Sequence, residues 1–327
     1  MEMRLFHFNP AEYAERYAAD GYVHVPSGLT PAFLDLLAQQ VHRHLAAHRL
    51  RDWEIGDKQQ GLYEFPEGAD FYREFLNAIG AVTGLDPKRL ALSERHIKAY
   101  EPDADPNPQP HKDRYASQVS VGLSVSVPPG SRLVLYPHDD VWVNPYNTAA
   151  RLRASLSEAP AERVRHARKV VIEDKPGDVL IFKGNAIWHL RENPANTTNV
   201  YLKLNDFNCD PLAEDPHTET VRRRSVELLG APDAALGSLV PLVGRRVDYF
   251  NRLLSRDGQE AHEVVLWGGD TRRVSERELA ALRQLDWDGS VAAMVKSLNG
   301  GDERVGFGAV RRLVESGVVD LFETVGG

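Results

Sequence analysis

The sequence predicts a mainly β fold, a sandwich or barrel of short strands flanked by helices, with a small α+β module at the C-terminal end. Three observations carry that reading. Between residues 111 and 208, short apolar runs alternate with proline and glycine turns, the texture of many short strands. Before that region apolar residues recur at helical spacing. After Pro216 they do so again.

Taken in order, residues 10–19 and 31–48 read as helices. In the second, Phe33, Leu34, Leu36, Leu37, Val41, Leu45 and Ala46 form one stripe, and Thr30-Pro31 supplies a cap and a first-turn proline. Gly21 to Val25 is a short strand stopped by Pro26, and a further helix over 69–83 closes at Gly84. Leu90 to Tyr100 alternates like a strand. Val119, Gly122, Leu123, Val125 and Val127 mark another, ended by Pro128-Pro129-Gly130, with Arg132 to Tyr136 returning. Lys169 to Ile172, Val179 to Phe182 and Val200 to Leu204 are three more, the middle one preceded by the turn Pro176-Gly177-Asp178. The polar stretch 144–168 is expected to be partly helical. The closing stretch reads as strand 263–267, helices 275–285, 289–298 and 306–316, and strand 318–322, an order resembling a winged-helix-like module. The break is expected at 256–262, giving domains 1–255 and 263–327.

Charge and composition narrow the function classes. A net charge of −8 over 327 residues offers no basic surface to nucleic acid or an anionic membrane. Over 263–327, eight Lys and Arg face eleven Asp and Glu, which argues against a DNA-binding C-terminal module. Its apolar stripe, Val291, Val295, Leu298, Val310, Leu313 and Val314, packs the module internally or forms a homodimer contact. Cys209 is the only cysteine, so neither an internal disulfide nor a thiolate zinc site is available. The opening residues lack a signal-peptide pattern and no run reaches the ~20 apolar residues of a membrane span. A cytoplasmic setting is the expectation.

The chemistry concentrates at Pro110-His111-Lys112-Asp113. On a strand, positions i and i+2 leave from one face, so His111 and Asp113 present an imidazole nitrogen and a carboxylate oxygen together. A third ligand from another strand completes a 2-His-1-carboxylate face with open positions, and His189, beyond the strand Val179 to Phe182, fits that place. His138-Asp139-Asp140 is a second His-x-Asp triplet, placed after the hairpin rather than before it.

With those residues in place, the chain resembles the Fe(II)- and 2-oxoglutarate-dependent dioxygenase superfamily, and within it the phytanoyl-CoA dioxygenase-like group. Three stretches carry the resemblance: Ala19-Asp20-Gly21-Tyr22-Val23-His24-Val25-Pro26 before a long helix; His111-Lys112-Asp113 followed by Pro129-Gly130-Ser131-Arg132-Leu133-Val134-Leu135-Tyr136; and Pro176-Gly177-Asp178-Val179-Leu180-Ile181-Phe182 with Trp188-His189. It implies a double-stranded β-helix (a jelly-roll, cupin-like core) with His111, Asp113 and His189 on Fe(II). It also implies O2 and 2-oxoglutarate as co-reactants, succinate and CO2 as products, and hydroxylation, desaturation or ring closure of a small organic substrate, as in secondary metabolism.

The group also uses a basic residue on the strand after the second histidine to hold the cosubstrate's distal carboxylate. Here the corresponding positions, Asn199 and Val200, are not cationic. Lys203, on the strand face of Asn199 and Tyr201, and Arg132, on the hairpin, are rival anchors. Trp188 is a packing residue beside the site or a substrate platform, and Asn205 and Asn208 bind substrate or cap a turn. The basic residues of 151–169 form a solvated helix or a lid. Two other readings stay open: a metal-dependent cupin-type hydrolase or isomerase without 2-oxoglutarate, and a non-catalytic binding module.

Overall fold

In a computed structural model, residues 3–47, 53–54, 58–67, 70–254, 256–299 and 303–323 are described. The expected helix ends at 48 and 69 lie outside them. The chain divides into two compact units, Met1–Asp206 and Phe207–Gly327. That division falls earlier than the expected break at 256–262, because two strands between 240 and 254 belong with the second unit.

The first unit begins with a 3-10 turn, Pro10–Tyr13, and α1 (Ala14–Asp20), which ends where Gly21 takes the left-handed conformation at φ 74°. There follow β1 (Tyr22–Val25), α2 (Pro31–Ala47), β2 (Trp53–Glu54), β3 (Lys58–Leu62), α3 (Phe71–Thr83) and β4 (Ala91–Tyr100). Thr30 caps α2 as expected, its hydroxyl accepting from the Phe33 amide at 3.2 Å. The strand region continues with β5 (Val119–Ser126), β6 (Arg132–Tyr136), α4 (Ala149–Ser155), α5 (Pro160–Arg163), β7 (Val170–Ile172), β8 (Val179–Phe182), β9 (Trp188–Glu192) and β10 (Thr198–Asn205).

Pairing arranges these strands in two sheets. One runs β1-β8-β5-β10-β4-β3-β2, the other β7-β6-β9, and an antiparallel bridge from His111 to His189 extends the second beyond β9. Successive segments of the chain, β4, the 111 bridge, β5, β6, β7, β8, β9 and β10, are thus shared between the sheets in the order of a double-stranded β-helix. The mainly β core with flanking helices is as the sequence predicted.

Strand alternation decides what fills the barrel. Val119, Val121, Leu123, Val179, Ile181, Val200, Leu202 and Leu204 face outward and pack with Phe33, Leu37, Val41, Phe71, Phe75 and Ile79 of α2 and α3 in the largest core. The opposite face looks inward. It carries a small apolar group (Leu133, Leu135, Ile172, Leu180, Phe182, Ile187) and, beside it, buried polar residues that include Glu94, Ser120, Ser124, Asn199 and Lys203. Burying so many polar groups costs stability unless each is paired. They run along the inward face of β4, β5 and β10, where Ser120 and Glu94 flank Lys203 and Ser124 stands opposite Asn199.

The second unit contains α6 (Thr218–Leu228), α7 (Asp233–Leu236), β11 (Val240–Val243), β12 (Val247–Leu254), β13 (Glu260–Leu266), β14 (Thr271–Val274), α8 (Glu276–Leu282), α9 (Val291–Asn299), α10 (Glu303–Glu315) and β15 (Val319–Phe322). The expected run of strand, three helices and strand is present, with β14 added. The strand members do not pair with each other: β13 lies between β12 and β14, whereas β15 pairs with β11. Residues 240–254, expected to be helical, form strands, rich in valine and aromatic residues that suit a pleated surface. Val291, Val295, Leu298, Val310, Leu313 and Val314 are all buried in this unit's own core. The stripe therefore packs the module internally, not against a second subunit.

Candidate metal centre

The site is built first from backbone. The His111 amide donates to the His189 carbonyl and the His189 amide donates to the His111 carbonyl, both at 2.9 Å. Residues in such a reciprocal pair present their side chains on the same side of the sheet, and the two imidazole centroids lie 4.3 Å apart. The Asp113 amide donates to the Gly184 carbonyl at 2.9 Å, which brings the carboxylate alongside. One donor atom each from His111, Asp113 and His189 falls within 4.8 Å of the others. Residues 112–114 form no regular strand, yet the alternation assumed from sequence holds locally: Lys112 points the other way.

Each donor is oriented by a neighbour. His189 Nδ1 donates to the Ile187 carbonyl at 2.9 Å, so Nε2 carries the lone pair and sits 3.8 Å from Asp113 Oδ2. Asp113 Oδ2 accepts from Ser120 Oγ at 2.6 Å and Oδ1 from Lys203 Nζ at 2.7 Å. Gly184 makes room for this carboxylate, since a Cβ there would lie 2.0 Å from Ser120 Oγ and 2.7 Å from Asp113 Oδ2. Lys112, fully buried, donates to the carbonyls of Asp140 (2.9 Å) and Trp142 (2.8 Å) and lies 3.9 Å from the Trp142 ring centroid.

The donor set suits a metal cation electrostatically. Burial, and for His111 also the neighbouring His189, depresses both imidazoles below their usual value, so both are held neutral, as ligands must be. For Asp113, burial opposes ionisation, but the Lys203 ammonium 2.7 Å away outweighs it and holds the carboxyl well below the usual range. An anionic oxygen and two neutral nitrogens result.

A pH consequence follows. In the unfolded chain these histidines take up protons near 6.5. The fold resists that uptake, so the unfolded state binds more protons and stability falls as pH drops through about 6.5. Metal-free protein is expected to melt lower at pH 5.5 than at pH 7.5. In a double variant, His111→Gln with His189→Gln, that difference should shrink. An unchanged pH dependence in the double variant would count against neutral imidazoles.

The pocket around these donors is lined by Lys58, Lys98, Tyr100, His111, Asp113, Leu133, His189, Arg191, Tyr201 and Lys203. Lys203 reaches it, but its ammonium is engaged by Asp113 and, at 3.1 Å, by Glu94 Oε1. Glu94 also holds Lys98 (2.7 Å) and Arg114 (2.8 Å), and these cations keep it ionised despite its burial. Tyr201 lines the pocket. Asn199 stands behind it, its amide oxygen 3.0 Å from Arg191 Nη2 and its nitrogen 2.9 Å from the Thr198 carbonyl.

Arg132 corrects the sequence reading. It lies on the opposite face of β6 from the pocket residue Leu133 and pairs with Glu192 at 2.5 Å, so it is removed from the site. Trp188 points away from His189 into a small apolar cluster with Leu152 and Val164, its Nε1 donating to Asp140 at 2.9 Å, which fits packing rather than a platform. Asn205 is fully buried and donates to the Ala116 carbonyl at 2.9 Å, and Asn208 donates to the Val243 carbonyl at 2.9 Å. The second triplet contributes no ligand: Asp140 accepts from Arg163, Trp142 and Trp188. Arg163, from the basic stretch, is thereby tied down, while Arg165 pairs with Glu162 on the surface.

Arg191 is the residue that sequence reasoning missed. It stands two positions beyond His189 on β9 and so shares its face. Its guanidinium forms a two-pronged pair with Asp174, both contacts 2.9 Å, while its buried Nε has no hydrogen-bond partner. The i, i+2 rule applied to His111 and Asp113 finds it once β9 is recognised as a strand.

No protein-family model matches the chain, and no curated protein does either. Among solved structures, the chain is similar to the non-heme alpha ketoglutarate dependent epimerase SnoN from nogalamycin biosynthesis, at 17% identity and TM-score 0.44, over 61% of this chain and 83% of that one. It is similar to the alpha ketoglutarate dependent carbocyclase SnoK from the same biosynthesis, at 16% identity and TM-score 0.44, over 64% and 89%. A Pseudomonas putida prolyl-4-hydroxylase matches at 18% identity and TM-score 0.41, over 60% and 97%. Likeness at that level assigns no function.

Proposed function

We propose that the chain is a non-haem Fe(II)- and 2-oxoglutarate-dependent oxygenase acting on a small organic substrate, with His111, Asp113 and His189 as the iron ligands. The observation that carries this reading is the convergence of two neutral imidazoles and one carboxylate, their donor atoms within 4.8 Å of one another, in a double-stranded β-helix. Two nitrogens and one oxygen arranged so leave other coordination positions open, the pattern of non-haem iron oxygenases. When bound, iron supplies the activation of O2 that oxidation of an unactivated C–H bond requires.

The chain's own residues do the rest. Lys203 and Ser120 fix the Asp113 carboxylate, and the Ile187 carbonyl fixes the His189 tautomer. Arg191, rather than Lys203 or Arg132, receives the distal carboxylate of the cosubstrate: its Nε is unpartnered, and Tyr100 and Tyr201 line the same pocket. The pocket's free volume is about 30 Å³, too little for a dicarboxylate. Binding therefore requires lining side chains to shift, and Lys58, long and only half-buried, is suited to do so. The segment holding α4 and α5 comes close to His111, since Leu152, Leu156 and Pro160 share a small cleft with it, and so helps to shape the substrate side.

The deciding experiment loads the protein with Fe(II) under anaerobic conditions, adds 2-oxoglutarate and then air, and measures succinate across a metabolite panel. One succinate for each substrate oxidised is the expected result. Tight iron binding with no 2-oxoglutarate binding and no succinate would instead leave a metal-dependent hydrolase or isomerase.

A further inference from the structure

The second unit contains a cavity of about 280 Å³ whose walls include four arginines from three separate segments: Arg222 on α6, Arg245 and Arg246 on the β11–β12 turn, and Arg272 on β14. Only one of the four is tightly neutralised. Arg245 pairs with Asp215 at 3.3 Å and donates to Asn208 at 2.8 Å and to Thr218 at 3.2 Å. The nearest carboxylate to Arg222 is Asp320, 3.9 Å from Nη1, and that buried nitrogen has no hydrogen-bond partner. Arg272 approaches Asp270 only at 4.0 Å. Among the described residues Arg246 makes no ion pair; its Nη2 reaches the Trp267 carbonyl at 3.4 Å and its buried Nε is unpartnered.

Three carboxylates also line the cavity, and they do not meet this demand. Glu219 and Glu315 are exposed and form no ion pair with the four guanidiniums; Arg222 takes the Glu315 main-chain carbonyl instead, at 2.9 Å. Asp320 Oδ2 is occupied by the Arg245 amide at 2.9 Å and the Asn208 side chain at 3.3 Å. Among the described residues no carboxylate lies close enough to neutralise Arg222, Arg246 or Arg272, so the cavity wall carries an excess of positive charge that an anion from outside the chain would offset.

We propose that this cavity binds a small, multiply charged oxyanion, a phosphorylated or polycarboxylic metabolite, through Arg222, Arg246 and Arg272. The planar guanidinium fork matches phosphate and carboxylate oxygens equally well. The volume, about 280 Å³, falls just below that of small-molecule sites, typically about 300 to 1,000 Å³, which favours a compact ligand.

The test uses the full chain, metal-free, titrated calorimetrically with inorganic pyrophosphate and, separately, tricarballylate, in buffers matched in ionic strength with NaCl. Saturable binding of at least one anion with Kd below about 1 mM is expected. Arg246→Gln and Arg272→Gln should each weaken it at least tenfold. These side chains make hydrogen bonds only to main-chain carbonyls, so the melting temperature without anion should stay near that of the parent. Preference for pyrophosphate identifies a phosphorylated ligand, and preference for tricarballylate a carboxylic one. Absence of saturable binding by both, or binding that both variants retain at parental strength, overturns the proposal.

Discussion

Asp113→Asn is expected to abolish iron binding and succinate production together while leaving the fold intact. The amide keeps the carboxylate's shape: its oxygen still accepts from Lys203, which holds Oδ1 at 2.7 Å, and its NH2 replaces Oδ2 and donates to the Ser120 hydroxyl, which lies 2.6 Å from that position and can turn from donor to acceptor. What it loses is the only anionic donor of the three, and two imidazoles alone no longer define the face. Ser120→Ala provides the scale. Removing a partner behind a ligand typically costs about 10–100-fold in metal affinity, so Ser120→Ala should fall in that range and Asp113→Asn well beyond it. Iron titration followed by circular dichroism separates loss of metal from loss of structure. Parental iron affinity in folded Asp113→Asn would end the case for this centre.

The second large effect belongs to Arg191. It is almost fully buried and forms both prongs of its pair with Asp174, which is also held by Ser124 at 2.6 Å. Arg191→Ala strands a buried carboxylate, a change that typically costs about 3–5 kcal/mol, or a melting-temperature drop of roughly 6–20 °C in a unit of this size. Arg191→Lys retains a positive charge opposite Asp174 but not the planar fork. It should fold, bind iron as the parent does and lose most of its affinity for 2-oxoglutarate. If Arg191→Lys binds the cosubstrate unimpaired, the carboxylate is held elsewhere, and Lys98 and Lys58 become the groups to test.

The part of this arrangement legible in the sequence was the part written in local pattern. Pro-Pro-Gly and Pro-Gly-Asp turns located β5, β6 and β8, and the stripe of α2 foretold the face that packs on the sheet. His111 and Asp113 were found by two-residue alternation, and His189 by its place after β8. What escaped depended on distant partners. Strand β9 has the sequence Trp-His-Leu-Arg-Glu, which carries no strand signature of its own; it is extended because β6 and the His111 bridge pair with it. Missing that strand hid Arg191. Lys203 was placed on the correct face, but its pairing with Asp113 and Glu94 spans 90 and 109 residues of chain, beyond what any local pattern encodes. Arg132 looked eligible by position along the hairpin; the alternation of β6, read to one residue more, turns it outward.

The reciprocal amide–carbonyl pair between His111 and His189 has a consequence for how such a protein diverges. The separation of the two imidazoles is set by main chain, which is insensitive to the identity of most side chains around it. The two short helices in the connection between β6 and β7 can therefore be lengthened or recharged without disturbing the spacing of the histidines, provided the stretch before them is kept, where the Asp140 and Trp142 carbonyls hold Lys112 and Asn144 donates to the Asp113 carbonyl. Under the proposed function, an engineer seeking new substrates has most freedom in those two helices, which share a cleft with His111.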